Sequence, residues 1–400
     1  QSMYEEMTAR LDPDESSVPY LKNGYWYYSR FEPGREYAIH ARRKGSIEMP
    51  EDIMVDGNKR GEGHEFYRLS GLEVSDDHRY VAIAEDTVGR RINEIRILDT
   101  QSGEFLPELI TNASGAMAWS ADGQYLFYLN KDIETLLAFQ LMRHKLGTDS
   151  SADELVYEET DNTFYTGVWR SRSGDYIMLG HENTDTTEVQ LLAADDPLGS
   201  FKPFLPRETG HEYVIDHADG RFFIRTNWGA ENFRVMTARA EDSADKTKWK
   251  EVIPHRREAM VRDIQAFDKW LVIGERKDGL RKVRVVAHDG SMDRYLEGSE
   301  EASVMWPDKN VNVDTDTIRY GFSSLVTPSQ IWEINLNSGE SQLLKADRIL
   351  AGFVSDHYQS TRMMITARDG KNVPVSIVHH HDTRLDGSAP ALIYAYGSYG

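Results

Sequence analysis

The 400-residue chain carries 46 Lys and Arg against 66 Asp and Glu, a formal charge of −20, with 28% charged and 40% hydrophobic residues. That balance describes a folded globular chain, and its acidity disfavours nucleic acid and anionic membranes while favouring cationic peptides. Zero cysteines exclude a disulfide scaffold, thiolate zinc sites and a cysteine nucleophile, and no apolar run approaches the ~18 residues of a membrane span.

The chain opens Gln1-Ser2-Met3 with neither a basic n-region nor an apolar h-region, so no signal peptide is expected and a cytoplasmic location fits. Residues 3–10 read as the last turns of a helix, and residues 11–16 as a Pro/Asp-rich linker. Short strands rich in Tyr, Phe, Val and Ile then dominate: Tyr25-Trp26-Tyr27-Tyr28, Tyr80-Val81-Ala82-Ile83-Ala84, Tyr125-Leu126-Phe127-Tyr128 and Tyr176-Ile177-Met178-Leu179. Arg221-Phe222-Phe223-Ile224, Trp270-Leu271-Val272-Ile273 and Ile318-Arg319-Tyr320-Gly321-Phe322 continue the series. A turn signal precedes each, among them Asn23-Gly24, Asp122-Gly123 and Asp219-Gly220, which supply the positive φ of tight hairpin loops. These turns recur about every 45–54 residues. Glu94-Ile95-Arg96-Ile97-Leu98-Asp99 with Ser102-Gly103-Glu104 is echoed by Ile331-Trp332-Glu333-Ile334-Asn335 with Ser338-Gly339-Glu340.

One four-stranded antiparallel sheet per period cannot bury both its faces alone, so the sheets must pack radially. A β-sandwich pair also shows regular turns, but the single period favours an all-β, seven-bladed β-propeller over residues 17–353. Its first and last blades are expected to meet through side chains, without a shared strand. Beyond it, residues 354–400 read as a second hinge and the first strands of another domain. That segment holds a hairpin turning at Arg368-Asp369-Gly370 and the apolar run Ala391-Leu392-Ile393-Tyr394-Ala395-Tyr396, expected to be a strand buried on both faces as in an α/β sheet. Residues 1–16 form the end of a helical segment and the first hinge. Both ends read as cuts through a longer protein.

A search for nucleophile machinery comes back empty: there is no Gly-x-Ser-x-Gly elbow and no phosphate-cradling glycine loop. His64-Glu65, His181-Glu182 and His211-Glu212 each lack the second histidine of a zinc motif. His379-His380-His381 alternate faces on a strand, so they read as a solvated strand end. No metal and no cofactor is expected.

Several phrases in order carry a resemblance. They are Ser17-Val18-Pro19-Tyr20 with Asn23-Gly24-Tyr25-Trp26-Tyr27, Tyr157-Glu158-Glu159 with Asp161-Asn162-Thr163-Phe164-Tyr165, Leu205-Pro206-Arg207, and Tyr394-Ala395-Tyr396-Gly397-Ser398-Tyr399-Gly400. In these the chain resembles the prolyl oligopeptidase family of serine peptidases, in its basic-residue-specific oligopeptidase B branch. The resemblance implies a propeller capping an α/β-hydrolase domain, here truncated, with the Ser-Asp-His triad and the carboxylates for a basic P1 side chain beyond Gly400. It implies an enzyme that cuts short, basic peptides after Arg or Lys, whose partner is its own catalytic domain. It also makes Tyr396 an oxyanion-stabilising phenol, with Ala395 standing where the family has glycine. Glu85, Asp86, Arg90 and Arg91 form a charge cluster that is either a self-paired loop or an interdomain latch. The competing functions are a free-standing propeller that binds proteins, and a proline-specific peptidase of the same family.

Overall fold

A computed structural model describes residues 2–396. Its strands form five four-stranded antiparallel sheets, one seven-stranded sheet and a two-stranded hairpin. In chain order these are blade one (residues 20–56), a wide sheet (68–158), blades two (165–203), three (213–253), four (259–295) and five (303–346), and the hairpin (358–380). The expected count of seven blades is therefore corrected to five. The cause is Glu104–Trp119, a single 16-residue strand that pairs with Asn93–Asp99 along one stretch and with Tyr125–Lys131 along another. The turns on either side of this strand repeat on schedule, but no break in the strand separates its two ladders, which meet at Ala113. The chain bends there instead, with Asn112 at φ 57° and shifts of register on both partners.

The hairpin turns sit where Asn-Gly and Asp-Gly place them. Asn23 (φ 47°), Gly24 (82°), Asp219 (51°) and Gly220 (64°) all adopt the left-handed region. Neighbouring sheets pack face to face through apolar clusters. One joins Met178, Phe204, Tyr213, Phe222 and Trp249 between blades two and three, and another joins Trp270, Val283, Met305 and Phe322 between blades four and five. The ring closes where blade five meets blade one. Asn312 Nδ2 donates to the Leu21 carbonyl at 3.0 Å, Lys309 Nζ lies 3.7 Å over the Tyr20 ring, and Lys345 meets Glu15 at 2.7 Å. No ladder among the described residues joins residues 1–20 to 318–345, so side chains make the closure.

The second strand shares a feature in three of the five four-stranded sheets. Its fifth residue is Gly180, Gly274 or Gly321 in blades two, four and five, where blades one and three have Ser29 and Arg225 instead. A Cβ at Gly321 would lie 2.0 Å from the Trp306 ring, and one at Gly180 would lie 2.6 Å from the Trp169 ring. These glycines make room for an inner-strand side chain to fold across them.

The ring has two rims. One carries the turns between second and third strands and the connections between sheets, and the chain enters and leaves the ring there. Arg348 pairs with Asp12 at 2.9 Å and the Leu350 N–H donates to the Arg10 carbonyl at 3.1 Å, tying linker to exit on this hinge rim. The other, far rim carries the turns between first and second strands. The hairpin packs against the hinge rim: Ser355 Oγ donates to the Val326 carbonyl at 2.6 Å, and Gly279 faces Pro374 so closely that a Cβ would be 2.9 Å away. Residues 391–396 are corrected too. They form no strand, and Leu392, Ile393 and Tyr394 are 93%, 90% and 89% exposed, because no element among the described residues packs over them. No described helix is long and apolar enough to cross a membrane.

Candidate functional site: the hinge rim

The residue after the glycine position, sixth in the second strand, lies at or within two residues of the strand's hinge-rim end. In four units it is the hub of a polar network: Arg30, Glu85, His181 and Glu275. Each side chain points into a seam between strands and must be satisfied there. Glu85, buried, accepts from Arg60 Nε at 2.9 Å and from the Tyr67 hydroxyl at 2.7 Å. Glu275, fully buried, accepts from Arg256, from the Tyr295 hydroxyl, and from Arg284 Nη1 at 3.3 Å. Arg30 holds Glu51 and Glu32.

The predicted charge cluster is thus taken apart. Glu85 turns inward to Arg60, and Asp86 caps its own loop, accepting from the backbone N–H groups of Val88, Gly89 and Arg91 at 2.9, 2.8 and 2.6 Å. Burial pushes the Asp86 carboxyl up, but these three donors hold it below the usual range. Arg90 and Arg91 remain on the exposed rim. The Arg91 carbonyl accepts from Lys131 Nζ at 2.8 Å, which ties this loop to the strand Tyr125–Lys131 of the same wide sheet. Tyr396 is 71% exposed and lies outside any strand, and the residues after it lie outside the described ones.

Sequence reasoning passed over His181 once the zinc motif failed. The structure places it at the centre of the rim's most elaborate site. Its Nδ1 lies 3.3 Å from Glu159 and 3.1 Å from Thr166 Oγ1. Glu159 is gripped by Arg207 Nη2 at 2.5 Å, Arg207 Nε reaches Glu188 at 3.0 Å, and the guanidinium stacks 3.8 Å over Phe164. Burial lowers the His181 pKa to about 4 against the pull of Glu159. Glu159 is itself raised by burial but lowered further by Arg207, so the carboxylate is ionised and faces a neutral imidazole. Nδ1 then carries the proton, and Nε2 is a buried acceptor without a partner. It borders a cavity of about 330 Å³ lined by Tyr165, Trp169, Gly180, Val189 and Val214. The site is a largely apolar slot that also meets Thr166, Glu182 and Thr187, with the His181 acceptor beside it, suited to holding a side chain.

Because His181 favours protons less when folded than when unfolded, its contribution to stability is complete above its unfolded value near 6.5 and is lost as pH falls towards about 4. His211, also pushed down to about 4 by burial, acts in the same direction. The urea midpoint is expected to drop between pH 7 and pH 4.5, with His181 contributing on the order of 1 kcal/mol per pH unit. His181→Gln should flatten that slope, and an unchanged slope would show that this imidazole is not the group taking up the proton.

At the far rim, Ser173, His217 and Asp175 converge. Both the Ser173 hydroxyl (2.9 Å) and the Asp175 carboxylate (3.3 Å) meet the same nitrogen, His217 Nδ1. A catalytic relay needs one partner on each ring nitrogen, so this cluster cannot activate the serine. No group of three side chains among the described residues is arranged to hold a metal ion.

Residues 1–347 match the family described as prolyl oligopeptidase, N-terminal β-propeller domain. The chain is 41% identical over 415 residues to dipeptidyl aminopeptidase BI of Pseudoxanthomonas mexicana, covering 100% of this chain and 57% of that protein. It is 29% identical over 407 residues to protease 2 of Moraxella lacunata, covering 100% and 58%. In structure it is similar to oligopeptidase B from Leishmania major (TM-score 0.88, 24% identity, 96% of this chain and 56% of that one). It is also similar to oligopeptidase B from Trypanosoma brucei with covalently bound antipain (0.86, 25%, 96% and 56%). The chain therefore spans little more than half the length of these relatives.

Proposed function

The chain belongs to the prolyl oligopeptidase family, and from that premise we propose that it is the N-terminal, substrate-screening part of a serine oligopeptidase cutting short peptides after Arg or Lys. The observation that carries this reading is the match of residues 1–347 to the family's propeller domain, together with relatives in this family, among them protease 2, that align over 100% of the chain. A stand-alone binding platform has no need of the apolar run at residues 391–396, 93% exposed at Leu392. A following hydrolase domain would cover it. The domain division proposed is 1–16, 17–353 and 354–400, with the nucleophile in sequence after Gly400. The net charge of −20 favours cationic substrates, and the absence of cysteine suits the cytoplasm. Arg90 and Arg91, exposed on the hinge rim, are proposed to meet the following domain, with Glu85 and Asp86 bracing the loop from behind.

A second reading, release of dipeptides from a free N-terminus, is favoured by the higher identity to dipeptidyl aminopeptidase BI than to protease 2. Two fluorogenic amides separate the readings in the protein extended by its downstream sequence. Cleavage of benzyloxycarbonyl-Arg-Arg-amide supports endopeptidase action. Cleavage of the unblocked dipeptide amide alone supports the second reading, and turnover of neither overturns both. The 400-residue chain by itself is expected to cleave neither, because an oxyanion donor without a nucleophile forms no acyl-enzyme. Activity that survives repurification and scales with this chain would refute that.

A further inference from the structure

Blade five meets blade one at a seam unlike the others. Apolar clusters fill the seams between every other pair of neighbouring sheets. No such cluster among the described residues joins blade five to blade one. The seam holds instead a cavity of about 170 Å³, walled by Leu21 and Trp26 of blade one and by Lys309, Asn312, Arg319 and Glu333 of blade five. A single water needs roughly 10–15 Å³ of such space, so a small oxyanion fits there with water around it. The wall carries two cations against one carboxylate.

The donors round the cavity are unused. Lys309 is open to solvent, and its ammonium rests 3.7 Å over the Tyr20 ring with no hydrogen bond or ion pair to any described residue. Arg319 engages Glu333 through Nε alone, at 3.2 Å, and neither of its Nη groups donates to a described residue. The indole N–H of Trp26, across the seam, donates to none either. Those of Trp119, Trp249, Trp270 and Trp332 each have an acceptor. Lysine, arginine and tryptophan side chains donate only, so the one partner that serves all three is an acceptor, and an anion serves them best.

The backbone behind these groups is fixed. Asn310 Oδ1 accepts the Arg319 N–H at 2.7 Å, and Asn310 Nδ2 donates to the Asp308 and Arg319 carbonyls, each at 3.0 Å. Desolvation by its surroundings, Lys22 and Arg319 hold the Lys309 ammonium below its ordinary pKa, against the pull of Glu73 and Asp308. Lys22, on blade one, also pairs with no described carboxylate, so two ammonium groups repel each other across the seam.

We propose that this cavity is an oxyanion-binding site, taking a small phosphate or carboxylate, and that the bound anion joins blade five to blade one. Lys309 and Arg319 supply charged donors from blade five, and Trp26 a neutral one from blade one. The anion offsets the repulsion between Lys22 and Lys309 and gives this seam the cohesion that apolar clusters give the others. A closure with neither a shared strand nor an apolar cluster is thereby tightened by a ligand that binds only the closed ring. The inference does not depend on which peptidase reading holds.

The test titrates inorganic phosphate, and separately acetate, into the protein extended by its downstream sequence, by calorimetry at constant ionic strength. Binding of at least one of the two ions is expected, and which of them binds identifies the oxyanion. Hydrogen exchange locates the site: residues 20–26 and 309–319 should gain protection together. Lys309→Met keeps the stem over Tyr20, strands no partner, and should weaken binding about tenfold. Trp26→Phe keeps a ring, removes the donor, and should weaken binding about threefold. Binding of neither ion, an affinity unchanged in Lys309→Met, or protection on one side of the seam alone would overturn the proposal.

Discussion

Glu275→Ala is expected to be the most damaging single substitution in the ring, lowering unfolding free energy by about 3–5 kcal/mol. Glu275 is fully buried and gathers two guanidiniums and a phenol, Arg256, Arg284 and Tyr295. Removing it takes the carboxylate from Arg256 and leaves Arg284 with only the half-exposed Asp293, which costs more than the lost hydrogen bonds alone. Unfolding entropy scales with chain length, so for a ring of this size that loss lowers the melting temperature by roughly 4–7 °C. Glu275→Gln keeps an acceptor for Tyr295 and should cost about half as much. Asp293, which pairs with Arg284 at 2.6 Å but is 53% exposed, sets the contrast. Asp293→Ala should cost about 1 kcal/mol or less, as exposed pairs do. Thermal unfolding of the three variants checks the ranking. If Glu275→Ala and Asp293→Ala proved equal, the buried hub would have no special weight.

Glu275 also shows where the sequence stops being readable. The strand Trp270–Lys277 is legible as an apolar run after a turn, and the left-handed conformations at Asn23-Gly24 and Asp219-Gly220 follow from residue type alone. The partners of Glu275 lie 19, 9 and 20 residues away along the chain. No local pattern announces them, and only the shared sixth position of the second strand connects Glu275 with Glu85 and His181. Adjacency in sequence misled in the opposite direction. Glu85, Asp86, Arg90 and Arg91 look like one cluster, but strand alternation turns Glu85 inward while the loop carries the arginines out.

The blade count failed for a similar reason. Turn signals mark where chains reverse, and they were counted correctly. Whether an outer strand and the next inner strand are separate depends on a break between them. In Glu104–Trp119 the strand runs on past Pro107, Asn112 and Gly115, residues that usually end strands and that are here left unpaired where the register shifts. Gly71 and Gly115 explain how the chain can bend there without breaking. A Cβ on Gly71 would lie 2.1 Å from the Gly115 carbonyl oxygen, so the backbones touch where any side chain would separate them. The apolar run at residues 391–396 failed because hydrophobicity states what a segment needs and not whether its cover is present in the same 400 residues.

Tyr396 carries the last expectation, proposed through the family phrase it occupies. In the protein extended by its downstream sequence, its phenol is proposed to donate to the oxyanion of the tetrahedral intermediate. A donor that engages mainly in the transition state affects kcat more than KM. Tyr396→Phe removes the donor and keeps the ring. Losing one such donor typically costs on the order of 10²–10³ in kcat. The lower end is expected here, because a backbone N–H beside the nucleophile would remain as second donor. The side chain is 71% exposed in this chain, so the substitution should shift stability by about 1 kcal/mol or less. If the tyrosine merely packs against the following domain, the pattern inverts: kcat stays within about twofold and the melting temperature falls. Steady-state kinetics on an Arg-containing peptide, set beside thermal unfolding of the same preparation, therefore decide the role of Tyr396, and an unchanged kcat would remove it from the catalytic residues.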